Sequence, residues 1–380
     1  MAGIYIHIPF CKQKCSYCDF HFSTNLTNRQ TVVNTICNEI ELKKTVLPNN
    51  EKIATIYVGG GTPSLLFEEE LAQILEAIYK NYRLEEKIEF TLECNPDDIN
   101  IGKLKILKNN GVNRLSIGVQ SFFDEDLKFF NRAHNQQQAE KSILLSQDAG
   151  INNITIDLIY NSPQLTLKKW EHNLDKFIQL NIPHLSAYTL TVEPKTALYH
   201  LVKTKQTVIP SDEQAIEQFN LLIEKVKQVG LIHYEISNFG KEGFFSQHNS
   251  NYWKGENYLG FGPSAHSFIK NNTSQKRSWN IANNTKYTKA IQQNLPFFEE
   301  EIIDETTAYN EYILTRLRTI WGVDMGFIKK TFSSEISNHF FAALATYKNT
   351  HLITISENKL TLAQEGIFLT DKITSDLFFV

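Results

Sequence analysis

Six short β-branched runs, each but the last followed by a helical stretch, fill the first half of this 380-residue chain and limit its fold more than any other feature. The runs fall at Ile4–Ile8, Ala54–Val58, Ile88–Leu92, Arg114–Val119, Ile154–Ile159 and His184–Thr189. Helical patterns lie between them at about Arg29–Lys44, Glu68–Tyr82, Gly102–Asn109, Gln136–Gly150 and Leu167–Leu180. Strand alternating with helix implies parallel strands joined by right-handed crossovers. Periodicity alone leaves a partial barrel, a closed barrel and a doubly wound sheet open. After about Glu193 the alternation stops. A helix over Asp212–Val229 leads into a stretch, residues 234–284, dense in Gly, Asn, Ser and aromatics and expected to be loop-rich. From about Asp304 the chain reads as helices ending in strand-like LITISENKLTL, which points to a winged-helix-like α+β domain. The expected division is 1–200, 201–303 and 304–380.

Composition narrows the function class. With 42% apolar and 21% charged residues, and no apolar run long enough to span a bilayer, the chain reads as an ordinary globular protein. A formal charge of −4 without a basic stripe argues against nucleic-acid binding. No basic segment followed by an apolar one opens the chain, so no export signal is expected. Five unevenly spaced cysteines do not resemble a disulfide framework and suit a reducing cytoplasm.

Three of those cysteines, Cys11, Cys15 and Cys18, follow the first strand as C-x3-C-x2-C. Structural zinc takes four ligands, with His7 or His21 the available fourth. A dithiol redox pair fits Cys15 and Cys18 but leaves Cys11 idle. A four-iron cluster held by three thiolates keeps one iron open to a small molecule. In parallel βα folds, function collects at the carboxyl ends of strands. Here those ends carry the thiols, then Gly59-Gly60-Gly61-Thr62-Pro63, Glu93, Gln120, and Tyr188 with Thr189; Asp157 sits inside the fifth strand. Singly, each has a bland reading as a turn or a solvated polar group. An Asp within a strand is less bland, because a buried carboxylate needs a partner.

C-x3-C-x2-C after a first strand, with GGGTP at the second, resembles the radical S-adenosylmethionine (SAM) enzymes. The resemblance implies a partial (β/α)6 barrel. It also implies a [4Fe-4S] cluster whose open iron binds SAM and cleaves it reductively to a 5′-deoxyadenosyl radical. The set YIHIPFCxxxCxxC, GGGTPS, LECNPDD, RLSIGVQSF and IDLIY is similar to the oxygen-independent coproporphyrinogen III oxidase family over essentially the whole chain. Carried over by position, Cys11, Cys15 and Cys18 would hold the cluster. Tyr5, Gly60, Gly61, Thr62, Glu93, Gln120, Arg132 and Asp157 would line the SAM site.

Two departures direct the expectation within that family. The oxidases continue to a further cysteine, and here that position is Phe20. The chain starts only a few residues before the first motif, where the oxidases carry a longer arm. Both place it with the branch of heme chaperones, expected to bind heme and hand it to acceptor proteins such as those of respiratory chains. The run His248-Asn249-Ser250-Asn251-Tyr252-Trp253 marks that branch. It offers His248 as an axial ligand, with His266 as its rival, and Tyr252 and Trp253 as flat surface for a porphyrin. Coproporphyrinogen III oxidation is the enzymatic alternative. An RNA-modifying enzyme is a third reading, disfavoured by the charge. Peripheral contact with a membrane at an acceptor is compatible with this reading, though no basic amphipathic helix advertises it.

Overall fold

The computed structural model describes every residue except Asn49 and Asn272. Its first six strands are β1 (Ala2–Ile8), β2 (Ile53–Gly60), β3 (Leu84–Cys94), β4 (Arg114–Gln120), β5 (Asn153–Tyr160) and β6 (His184–Thr189). They pair in parallel in chain order. A doubly wound sheet would reverse its strand order midway; unbroken order with crossovers of one hand puts every helix on one face. The helices Arg29–Leu42, Glu68–Asn81, Ile101–Asn109, Gln136–Asp148 and Leu167–Gln179 form that layer. Alternation then sorts the side chains. In β1, Ile4, Ile6 and Ile8 join the apolar core with Val32 and Ile36 of the first helix. Gly3, Tyr5 and His7 take the opposite face. That face is polar along the sheet, with Thr55, Glu89, Thr91, Arg114, Ser116, Thr155 and His184 all buried. The result is the expected partial barrel, with a polar interior and an apolar layer between strands and helices.

The stretch 234–284 departs from expectation. It is not loop-rich but extends the sheet at both edges. β8 (Asn238–Gly240) pairs antiparallel with β6, and β7 (Ile232–Glu235) pairs antiparallel with β8 at the edge. β9 (Tyr258–Phe261) pairs in parallel with β1, and β10 (His266–Lys270), β11 (Gln275–Asn280) and β12 (Phe298–Ile302) continue outward antiparallel. Among the described residues the sheet has twelve strands. The inserted strands run only three to six residues, and several carry polar or charged side chains, as in QKRSWN and FEEEI, so local propensity does not announce them. Tertiary anchoring makes them. Glu39, fully buried on the first helix, accepts from Lys43 (2.6 Å), Asn280 Nδ2 (2.7 Å), the Gly262 amide (2.8 Å) and Tyr287 Oη (2.5 Å). A buried carboxylate so fully satisfied fixes the extension to the barrel wall.

The helix Gln247–Lys254 closes the amino-terminal end of the barrel. Its first amides, from Gln247 and His248, both donate 3.0 Å bonds to the Glu89 carboxylate, where the positive end of the helix meets an anion. Behind it a chain of polar contacts runs from Arg114 through Thr155 to His184 (3.0 Å) and Tyr234 Oη (2.8 Å).

The last part of the chain has its own core, with Tyr309, Ile313, Phe340, Leu360 and Leu377 buried among the helices Glu305–Leu317, Met325–Thr331, Ser334–Ala345 and Thr370–Leu377. β13 (Val323–Asp324), β14 (Ile353–Ser356) and β15 (Lys359–Leu362) form a small antiparallel sheet in the order β13-β15-β14, the expected α+β wing. It docks on the barrel through the Ile320 amide bonded to Tyr234 O (3.0 Å) and through Phe368 edge-on to Phe219 (4.9 Å). No helix among the described residues is long and apolar enough to cross a membrane.

Candidate functional site

The thiols sit on a loop held from several sides. The Cys11 amide donates to Ser23 O (3.1 Å) and the Ser23 amide to Pro9 O (2.9 Å), so the loop closes on its own base. Lys12 pairs with Asp97 (2.6 Å) beyond the end of β3, and the Ser16 amide reaches Phe130 O (3.0 Å). Cys11, Cys15 and Cys18 are partly buried and unpaired. Burial, with the neighbouring thiols adding to it, pushes the Cys11 and Cys18 thiols up to about 11. As thiolates they need a cation. Arg132 supplies part of it, with Nη1 3.2 Å from the Cys15 sulfur. Among the described residues no three His, Cys, Asp or Glu side chains gather around a single-ion site.

The glycine turn at the end of β2 packs directly on this loop. Gly60 has φ +107°, and a Cβ there would lie 2.6 Å from the His7 ring. A Cβ on Gly61 would meet the backbone of Ile8 and Phe10 at 2.7–2.8 Å. Both positions require glycine for close backbone approach. Thr62 takes a 3.2 Å bond from Asn95 Nδ2.

Two carboxyl groups lie deeper. Glu93 accepts from Tyr57 Oη (2.8 Å) and the Gly60 amide (3.0 Å); burial pushes it up to about 7, with Asp157 nearby adding to the shift. Burial pushes Asp157 up to about 6, against bonding from Ser186 and the charges of Arg132 and Arg114. Arg132 spends Nη2 on Asn95 Oδ1 (2.6 Å) and Gly118 O (2.8 Å), while its buried Nε has no partner. Gln120, at the end of β4, is buried with φ +69°.

These groups border one cavity of about 1080 Å³ at the carboxyl end of the barrel. Cys11, Cys15, Cys18, Gly60, Gly61, Thr62, Glu93, Gln120, Arg132 and Asp157 all line it. Tyr5 does not: it lies beneath, its hydroxyl 3.1 Å from His7 Nδ1 and its ring tilted on Tyr57. Residue types alone pass over Asn95, Ser116 and Gly118, which also form the wall. Their signal is positional, because Ser116 and Gly118 are alternate, inward positions of β4. Phe20 is 67% exposed at the cavity mouth. The residues present fit a cluster and a cationic, amphoteric cofactor: three thiols, a guanidinium nitrogen with no partner among the described residues, one close-packed glycine turn and two carboxyls. The volume suffices for a ligand of nucleoside size.

His248, Tyr252 and Trp253 lie elsewhere. His248 is 1% exposed in the barrel floor, its Nδ1 2.7 Å from Thr55 Oγ1 and its Nε2 2.7 Å from Tyr252 Oη. It stacks on Tyr57 at 5.1 Å, and burial pushes it down to about 3, so it is neutral. With both ring nitrogens engaged, His248 offers no lone pair to an iron in this arrangement. Tyr252 and Trp253 border a second cavity, on the other side of Tyr188. His266 is exposed on β10, its ring 6.3 Å from Trp279.

Residues 5–177 match the radical SAM superfamily and 303–369 the HemN C-terminal domain. A Bacillus subtilis protein named heme chaperone HemW is 34% identical over 98% of both chains. The Escherichia coli protein of that name is 31% identical, covering 84% of this chain and 82% of its own. The solved structure of E. coli coproporphyrinogen III oxidase, a radical SAM enzyme, superposes with a TM-score of 0.85 at 20% identity, over 99% of this chain and 90% of that one. That likeness establishes the shared fold. Identity of 34% over 98% of the chain to the first and 31% over 84% to the second, with the cysteine loop, glycine turn and wing in one structure, shows that this chain belongs to the HemW family of radical SAM proteins.

Proposed function

We propose that this chain is a cytoplasmic heme carrier that binds heme and delivers it to acceptor proteins, respiratory ones among them. The observation that carries this is identity of 34% over 98% of both chains to a protein named as a heme chaperone. Cys11, Cys15 and Cys18 would hold a [4Fe-4S] cluster, and SAM would lie along Gly60–Thr62, Glu93, Gln120, Arg132 and Asp157. When bound, that pair supplies reductive, one-electron chemistry. The chain's own groups do the rest. Arg132 offsets thiolate charge at Cys15. Burial raises Glu93 to about 7 and Asp157 to about 6, and a cation bound beside them would favour their carboxylate forms, with any proton passing to solvent. The glycine turn lets the backbone lie close against the thiol loop, where no Cβ would fit.

His248 and Tyr5 act as floor supports in this reading, and Tyr252 is held by His248. Phe20 favours a carrier over an oxidase, because it puts an exposed ring, not a thiol, at the mouth. The discriminating experiment is anaerobic incubation of the reconstituted protein with coproporphyrinogen III, SAM and a low-potential reductant, beside a hemin titration. The carrier reading expects stoichiometric hemin binding and no protoporphyrinogen above a protein-free control. Clean SAM-dependent turnover would restore the oxidase reading.

A further inference from the structure

The second cavity has about 1270 Å³ and lies between the barrel extension and the C-terminal wing. Several parts of the chain line it, chief among them the helix Gln247–Lys254, the β9–β11 strands, the turn between β7 and β8, and the helix Glu305–Leu317 with the residues that follow it up to Phe332. Its walls mix aromatic and charged groups: Trp253 and Tyr258 from the extension and Tyr312, Trp321 and Phe332 from the wing give flat apolar area, while carboxylates such as Glu256, Asp304, Glu311 and Asp324 lie elsewhere on the lining. These rings are all partly buried, so each keeps a face or edge turned to the space between the two parts. Two cations stand together at one end. Lys254 Nζ lies 4.8 Å from the Trp321 ring centre, and Arg316 donates to Lys254 O (3.2 Å) while its guanidinium sits 5.5 Å from the Tyr312 ring. Among the described residues neither is in an ion pair, in contrast to Arg277, which is held by Glu301 and Glu311. Aromatic walls with adjacent cations at the edge suit a flat, apolar molecule that carries carboxylates on one side.

We infer that this cleft is the tetrapyrrole site, with the ring between Trp253 and the wing aromatics and the propionates at Lys254 and Arg316. The inference rests on the carrier reading above and gives it a place. It carries a consequence that an axial-ligand site would not. No described residue lining the cleft is His, Cys or Met, the nearby His248 is sealed in the floor, and burial raises the hydroxyls of the lining Tyr188, Tyr252, Tyr258 and Tyr312 above the ordinary phenol range, so none is a ready phenolate ligand. Recognition is therefore of the ring and its carboxylates rather than of the iron. A carrier that holds its cargo without an iron–nitrogen bond has no such bond to break at transfer. Tyr188, Ile236 and Ser237 line both cavities, so the cleft shares a wall with the cluster and SAM site.

The test titrates the reconstituted full chain with hemin, with metal-free protoporphyrin IX and with the dimethyl ester of protoporphyrin IX, followed by porphyrin absorbance. Hemin and free-base protoporphyrin should bind within about threefold of each other, and the diester at least tenfold more weakly. Trp253→Ala combined with Trp321→Ala should weaken hemin at least tenfold. Lys254→Glu combined with Arg316→Glu, both nearer the surface, should weaken hemin and free-base porphyrin alike by at least tenfold and leave the diester unchanged. Cluster content and circular dichroism report folding in every variant. Wild-type hemin affinity in the charge-reversed variant overturns the cleft and leaves the carrier reading standing. So does hemin binding at least a hundredfold tighter than the free base, which would mean an iron ligand. No hemin binding by the wild-type chain overturns both.

Discussion

With SAM placed beside it, as proposed above, Glu93 should make SAM binding depend on pH in a direction set by its buried carboxyl. Its carboxyl is raised from 4.5 to about 7, burial being the largest cause. A raised acid binds protons more tightly in the folded state than in the unfolded one. Its contribution to stability is thus fully present below pH 4.5 and lost as pH climbs to about 7. At about 1.4 kcal/mol per unit, ionising Glu93 in the folded chain costs about 3 kcal/mol. SAM carries a sulfonium and an ammonium, and a cation beside Glu93 favours the carboxylate. Binding below pH 7 must therefore expel a proton. Affinity for SAM should fall about tenfold per unit from pH 7 to 6, and more steeply below about 6, where Asp157 joins. Glu93→Gln has no proton to lose. It should flatten the profile between pH 6 and 7 and weaken binding at pH 8 by at least tenfold. It keeps an oxygen for Tyr57 but presents an amide to the Gly60 N–H. The assay is SAM perturbation of the reduced cluster's EPR signal, titrated from pH 5.5 to 8.5. A wild-type affinity constant within twofold across that range would refute the reasoning.

The remaining expectations follow from the same geometry. Replacing Cys11, Cys15 or Cys18 with Ala should abolish four-iron cluster content in anaerobic iron and sulfide analysis, while Cys37→Ala and Cys94→Ala should retain it; stoichiometric zinc without iron would contradict the assignment. Gly60→Val should lose SAM binding and also loosen the thiol loop, because its side chain enters the His7 ring at a backbone angle of +107°; SAM titration and cluster decay in air measure the two losses. His248→Ala should leave the hemin spectrum unchanged but lower unfolding stability by about 2–4 kcal/mol in denaturant, since it opens a cavity under Gly3 and strands Thr55 and Tyr252.

The barrel was legible because its strands alternate with long amphipathic helices, and His184–Thr189 matches the reading to the residue. The cavity was legible because its groups sit at strand ends, where chain order maps onto one rim of the sheet. The strands after Glu193 were not, because β8 and β9 have three and four residues and owe their conformation to β6 and β1. His248 shows a second limit. A histidine in a polar run looks exposed, and only the fold reveals that Glu89 draws that helix into the barrel floor. Tyr5 likewise shares the inward face of β1 but stops one layer below the cavity, a depth that periodicity does not carry.

The central claim is that heme is cargo, bound and then given up. It is tested by loading the reconstituted chain with one equivalent of hemin, removing the excess, and adding apomyoglobin while the Soret band is followed. Transfer should be complete, yield the myoglobin spectrum, and leave the chain able to bind hemin again. Heme that stays with the chain under excess acceptor, or that cannot be loaded a second time, would contradict the account.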